Sequence, residues 1–309
     1  MANLLTFCDH EARSRFPLKP FSTRHALSDH PLLQLPALAD LAKKMDPARI
    51  EYSSGEMKPD QLPENVRPVD LSPEQVIEQI EGCGAWLVIK NVECMPQYRK
   101  LLEDILKSGA KEAGYESLES AGMVDIRGYI FVASAGSVTP FHADDEENLF
   151  VHLHGHKLFH VFDNEDRSLV SEADLESFPG KHRNLKYRPE FENRAIVYDL
   201  HAGDGIFLPY NWPHWVKTLD DYAISMQVTW RSPRVARLNN LMVANALLRA
   251  AGFPQSAPDT NRAWDSLKAG SYSLARASLE PLRRSDRIKG WIRGLFFNRQ
   301  KKLYYGSNS

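Results

Sequence analysis

From residue 84 to residue 230 the chain is mostly a succession of short apolar or alternating runs, each cut off by glycine, proline, asparagine or aspartate. They are GAWLVIK (84–90), GYIFVAS (128–134), NLFVHLH (148–154), KLFHVF (157–162), AIVYDL (195–200), GIFLP (205–209), HWVKT (214–218) and YAISMQVTW (222–230). Runs this short, rich in β-branched and aromatic residues, suit pleated strands better than helices. Several such strands with turn residues between them fold as a β-sandwich or barrel. The stretch from Asp163 to Arg194 breaks the pattern: it is long, charged and poor in β character. In a compact β domain such an excursion is a lid or a surface insertion.

The flanks read differently. Residues 1–82 are proline-rich and of mixed pattern, with helices expected over Leu32–Met45 and from Ser72 to Gly82. In the second, Ser72 stands at the cap, Pro73 at the first helical position, and Val76 and Ile80 give one apolar stripe. Pro96–Gly109 reads as a further helix, and from Pro233 onward the spacing turns helical again, over Arg234–Gly252 and Trp264–Leu282. The end of the chain is basic: Arg283, Arg284, Arg287, Lys289, Arg293, Arg299, Lys301 and Lys302 face a single Asp286.

With 43% hydrophobic and 25% charged residues the composition is that of an ordinary globular protein. A net charge of −2 sets up no global field toward nucleic acid or membrane. No run approaches the roughly 18 apolar residues of a membrane span. The N-terminus meets charge too early for a secretory signal, so a cytoplasmic location is expected. Cys8, Cys83 and Cys94 are too few and too scattered for a disulfide framework or a zinc ribbon, and are expected to be inert thiols.

The chemistry concentrates in TPFHADDEENLFVHLHGHK, Thr139 to Lys157. On an extended chain residues i and i+2 point to one side, so His142 and Asp144 offer an imidazole and a carboxylate to a common point. His214, in LPYNWPHWVK among aromatic residues, is the best third donor. Two histidines and one carboxylate make a facial triad that leaves positions open on iron. A structural zinc site would instead be closed by four protein ligands. Lys157 opens its strand just after the Gly155 turn. A lysine entering a barrel interior is costly unless it meets an anion, such as the far carboxylate of a dicarboxylate. Asp145, Glu146 and Glu147 are expected to form a solvated acidic turn. His152 is expected to be a hydrogen-bonded packing residue, His154 and His156 to be solvated, and His160 to face away from Lys157.

Taken in order, T-P-x-H-x-D, N, G-x-K and P-x-x-W-x-H resemble the pattern of the JmjC-type, cupin-fold Fe(II)/2-oxoglutarate oxygenases over roughly residues 128–231. Within that family the resemblance is strongest to asparaginyl hydroxylases of the factor-inhibiting-HIF kind. It implies a double-stranded β-helix (jelly-roll) core over residues 83–232, an N-terminal helical or irregular region over 1–82, and a helical C-terminal region over 233–309 through which two copies pair. It implies that His142, Asp144 and His214 bind Fe(II), that Lys157 and Thr139 hold the far end of the 2-oxoglutarate co-substrate, and that Asn148 lies near its chelating end. An asparagine late in the last strand helps hold the co-substrate in that family; the matching residue is Thr229, which reaches less far. A second departure is Pro213, where the family often has an aromatic residue. The activity implied is hydroxylation of a protein side chain or small molecule, with release of succinate and CO2. Two rivals are a non-enzymatic cupin-like metal-binding module and an RNA-directed hydroxylase using the basic tail. Trp291, Leu295, Phe296 and Phe297 in that tail favour packing over nucleic-acid contact. Phe131, Phe141, Phe150, Trp212 and Trp215 are candidates for the dry walls of the pocket, and aromatic core packing accounts for them equally well.

Overall fold

The computed structural model describes residues 3–62, 65–176 and 184–283. Beyond Arg283 the basic tail, and the call made on it, lies outside the described residues. Twelve strands are found among the described residues: β1 (Leu5–Phe7), β2 (Phe21–His25), β3 (Ile50–Ser54), β4 (Ala85–Lys90), β5 (Arg127–Ala133), β6 (Val138–His142), β7 (Glu147–His154), β8 (His156–Val161), β9 (Ile196–His201), β10 (Asp204–Leu208), β11 (His214–Thr218) and β12 (Ala223–Trp230). They form an eight-stranded sheet, β1-β2-β10-β7-β12-β5-β4-β3, and a four-stranded sheet, β6-β11-β8-β9, antiparallel throughout.

From β5 onward the chain passes between the sheets: β5 large, β6 small, β7 large, β8 and β9 small, β10 large, β11 small, β12 large. That alternation is the double-stranded β-helix, and the class is mainly β with flanking helices. The N-terminal region differs from expectation. It is not only helical and irregular, for β1 and β2 extend one edge of the large sheet through β10, and β3 joins the other through β4. These strands are short or carry polar residues on half their length, so their pairing is decided by the edges they cover.

β7 shows why the sheet is buried on both faces. Leu149, Val151 and Leu153 join the core that contains Leu102, Ile105 and Leu106 of the helix α1, which spans Pro96–Glu112. The alternate residues Asn148, Phe150 and His152 point toward the small sheet, where Phe150 packs with Phe159, Val161, Ile206 and Trp212. Each such fully buried side chain contributes about 1.5–3 kcal/mol. Burial on both sides replaces an alternating pattern with a nearly continuous buried run.

The Ser72 cap holds: its hydroxyl accepts from Gln75 N, and Gln75 Oε1 accepts from Ser72 N at 2.9 Å. The helix that follows ends at Glu78, short of Gly82.

Two compact units are distinguished. The first takes residues 1–171 and 181–235, the second 172–180 and 236–309. In the second, α2 (Pro233–Ala250, from Ala236 on) and α3 (Arg262–Arg283) are tied by Lys268, whose Nζ lies 2.7 Å from Asn245 Oδ1 and 3.0 Å from Asp265 Oδ1. Arg249 holds Glu176, the end of the described 172–176 segment, at 2.7 Å. No helix among the described residues is long and apolar enough to cross a membrane.

Candidate metal centre

β6 and β11 are neighbours, and their register makes His142 and His214 direct partners. Partners across an antiparallel pair face the same way. The two rings lie 4.1 Å apart between centroids. β6 stops at His142, so Asp144 reaches the same point from the loop beyond the strand rather than from the strand itself. That loop is pinned by Asn211 N, which donates to Asp144 O at 2.9 Å. Asn211 adopts a left-handed conformation (φ 60), a turn that delivers His214 to the start of β11.

The donor atoms converge. His142 Nε2 is 3.9 Å from Asp144 Oδ1, and His214 Nε2 is 4.0 Å from Asp144 Oδ2. Each Nδ1 is already used: that of His142 lies 2.8 Å from Pro140 O and that of His214 2.9 Å from Trp212 O. A carbonyl can only accept, so both Nδ1 atoms carry the proton and both Nε2 lone pairs face the common point. A divalent ion at about 2.1 Å from two adjacent ligands sets them about 3 Å apart, so the trio must close by about 1 Å. His142 and Asp144 are half-buried, while His214 is buried. Burial, with the neighbouring charge of His142 second, pushes His214 down to about 3. It is therefore neutral, with its Nε2 lone pair able to serve as a donor. The donor set fits a divalent metal.

The other expected residues fall around it. Asn148 is fully buried on β7, its Nδ2 3.4 Å from Asp144 Oδ2. Thr139, on β6, accepts from Trp86 Nε1 at 3.1 Å and lines a cavity of about 610 Å³ in front of the donor set. Thr229 lines the same cavity and is the register partner of Asn148, but its hydroxyl donates to Glu146 Oε2 at 2.6 Å. Lys157 is buried on the inward face of β8. Its Nζ lies 5.8 Å from the Phe150 ring, Phe150 packs on Phe159, and Phe159 stacks 4.9 Å from the His214 ring. Among the described residues no ion pair or hydrogen bond of Lys157 is found, and burial pushes its ammonium down to about 7. An unneutralised cation in this interior is what a dicarboxylate ligand would offset.

One expectation fails. Asp145, Glu146 and Glu147 are not a solvated turn: Glu146 and Glu147 are buried, and Asp145 is paired with Arg231 at 3.1 Å. Arg231 also meets Glu146 at 3.0 Å, and Arg127 lies 3.8 Å from it. Even so, burial holds the Glu146 carboxyl above its ordinary value. Of the candidate walls, Phe131 lines the cavity, but Trp212 packs in the inner core and Trp215 stacks on His160. The residues missed are Gln227, whose Nε2 is 3.5 Å from Asp144 Oδ2, and Trp86. Gln227 was within reach of the period of two, since it shares a strand face with Thr229. His152 behaves as read: fully buried, with Nδ1 on the Ser225 hydroxyl and Nε2 on Gly155 O.

Among solved structures, the chain resembles the Escherichia coli ycfD protein at 15% identity and a TM-score of 0.49, over 93% of this chain and 71% of that one. A second similar structure is YcfD, a ribosomal oxygenase from Escherichia coli, in complex with cobalt and 2-oxoglutarate, at 14% identity and a TM-score of 0.45, over 88% and 67% of the two chains. A third, of the DMSP lyases RdDddP and RnDddQII, shares 19% identity at a TM-score of 0.23, over 35% and 39%. No curated protein matches the chain in sequence. The sequence model of the cupin-like domain matches residues 43–235, well over half of the chain and all of the donor set. The chain belongs to the cupin-like domain family.

Proposed function

We propose that this protein is an Fe(II)- and 2-oxoglutarate-dependent oxygenase that hydroxylates a protein side chain or a small molecule, releasing succinate and CO2. The observation that carries the reading is the pairing of a two-histidine, one-carboxylate donor set with the buried, unneutralised Lys157 in one apolar interior. His142, Asp144 and His214 would hold the iron, and Lys157 would neutralise the far carboxylate of the co-substrate. Bound together, iron and 2-oxoglutarate supply the oxidising chemistry. The chain's own part is geometry and dryness. Asn148 and Gln227 donate toward one Asp144 oxygen and so orient the carboxylate. Thr139, held by Trp86, keeps a hydroxyl proton to give to an anion. Phe150 and Phe159 exclude water between Lys157 and His214. Thr229 lines the entrance beside Glu146.

The test is succinate formation by purified protein supplied with Fe(II), 2-oxoglutarate and O2. Slow turnover without substrate is expected, and its loss in Asp144→Ala. Protein that binds iron yet neither binds nor consumes 2-oxoglutarate would support the non-enzymatic module instead. A homodimer through the C-terminal helices is part of the same proposal, supported by the exposure of Trp264, Leu267 and Leu274 on α3. Size-exclusion chromatography with light scattering reads it directly.

A further inference from the structure

β8 and β9 carry a second convergence of ligating side chains, on the face opposite Lys157. His156 opens β8, His201 closes β9, and the two are direct partners in the antiparallel register. Asp199 precedes His201 by two residues and so shares its face. The neighbouring pair, Lys157 and Leu200, points inward and is buried. The side chains of His156, Asp199 and His201 point outward and are 29%, 60% and 63% exposed. His156 Nε2 lies 2.5 Å from Asp199 Oδ1, and His201 Nδ1 lies 3.7 Å from the same oxygen. The two rings stack with centroids 4.2 Å apart. One donor atom from each of the three lies within 4.8 Å of the others.

A simple surface ion pair accounts for one histidine on Asp199. It does not account for the second, stacked on the first with a ring nitrogen toward the same carboxylate. The arrangement is also fixed in the backbone. The strand register sets the two histidines opposite each other, Leu219 N donates to His156 O at 2.9 Å, and Asp204 Oδ2 accepts from His201 N at 2.9 Å. Of the cations nearby, Arg24 is engaged by Asp204 at 2.8 Å, and Lys217 of β11 is opposite Leu158, which in turn is opposite Asp199. Lys217 stands a strand away from the carboxylate, on the side away from β9.

We propose that His156, Asp199 and His201 form a second divalent-metal site, of the chemistry that suits Zn(II). Two imidazoles and a carboxylate bind the later first-row ions more tightly than Fe(II). Three protein ligands leave the fourth tetrahedral position to water. Counted along β8 from Val161, the partner of His214, the site stands roughly 16 Å from the first centre. It is independent of the oxygenase reading. An ion there would clip β9, an edge strand of the small sheet, to β8.

The test uses the full, tag-free chain stripped of metal by a chelator and titrated with Zn(II) by calorimetry. Wild type is expected to bind two ions. His156→Ala/His201→Ala should bind one and keep its circular dichroism spectrum, since both side chains lie outside the core. His142→Ala/His214→Ala should also bind one, and that remaining ion should be lost when all four histidines are replaced. Zn(II) should raise the melting temperature of the His142→Ala/His214→Ala protein, and the rise should vanish in the fourfold variant. A His142→Ala/His214→Ala chain that binds no ion, or a His156→Ala/His201→Ala chain that still binds two, would overturn the proposal. Neither result bears on succinate formation, so the two readings fail separately.

Discussion

The hydroxyl of Thr229 donates to Glu146 Oε2 at 2.6 Å, which commits the last strand of the barrel to a buried carboxylate beside the loop that carries Asp144. Arg231 and Arg127 supply the counter-charge. Thr229→Val removes a hydrogen bond to a buried acid and should lower the unfolding free energy by about 1–3 kcal/mol, read by urea denaturation. Because its proton is given to Glu146, the same variant should keep nearly wild-type affinity for 2-oxoglutarate. Lost affinity with unchanged stability would place the Thr229 hydroxyl on the co-substrate instead.

Lys157 makes the opposite kind of prediction, a substitution that stabilises the protein while destroying its binding site. Burial pushes its ammonium down to about 7, against about 10.4 in an unfolded chain. Between those values the unfolded chain holds a proton that the folded one lacks, so stability rises with pH across the window. Below about pH 7 the full cost of burying the cation is felt. Lys157→Met should therefore stabilise the ligand-free protein at pH 7, by on the order of 1–4 kcal/mol. 2-Oxoglutarate should raise the melting temperature of the wild type and leave that of the variant unmoved. Above pH 7 binding must return a proton to Lys157, so affinity should weaken with rising pH, and calorimetry in buffers of different ionisation enthalpy should register the proton taken up.

Acid should act through two buried histidines. Burial, the largest cause for each, pushes His152 and His214 down to about 3. His152 Nε2 faces the Gly155 carbonyl and must carry the proton, so Nδ1 accepts from the Ser225 hydroxyl, and the ring is neutral. Unfolded histidines titrate near about 6.5. From there down to about pH 3 the unfolded chain binds more protons, so stability falls as the pH falls. Each histidine should cost about 2 kcal/mol by pH 5. Burial also lowers His25, His30 and His160, so urea midpoints of the metal-free protein at pH 7 and pH 5 measure the joint loss. His152→Gln should flatten the difference, and an unchanged slope would remove His152 from the account.

What the sequence disclosed depended on how local the determinant was. The strands of the barrel were legible because period-two patterns and turn residues lie within a few positions of each other. The period of two brings His142 and Asp144 together, but Asp144 comes to His142 from the loop beyond β6, so strand alternation is not what places it. β2 and β3 were not, since FSTRH and IEYSS gain their place by pairing with β10 and β4. Glu146 was read as solvated because DDEE looks like a surface turn. It is buried by Arg231 and Arg127, which come to it from β5 and from the end of β12, and no local pattern shows that. The convergence of His156 with His201 is hidden likewise, being a property of register between β8 and β9.

Gly155 links the two sites, and it yields the sharpest backbone prediction. It is the single residue between β7 and β8, with φ at 81, and a Cβ there would lie 2.1 Å from Tyr222 O. Its carbonyl also fixes the His152 tautomer. The turn sets which way β8 begins, with His156 outward and Lys157 inward. An alanine must therefore bear both the left-handed backbone, about 1–2 kcal/mol, and a clash with backbone that cannot step aside. Gly136 provides the control: its φ is 74, but nothing lies within 4 Å of the position its Cβ would take. Gly136→Ala should cost about 1–2 kcal/mol by urea denaturation and leave Zn(II) stoichiometry at the wild-type value. Gly155→Ala should cost several-fold more and, where the protein is recovered, impair both Zn(II) binding at His156 and 2-oxoglutarate binding at Lys157. Equal losses from the two alanines would mean that the close approach to Tyr222 does not govern this turn.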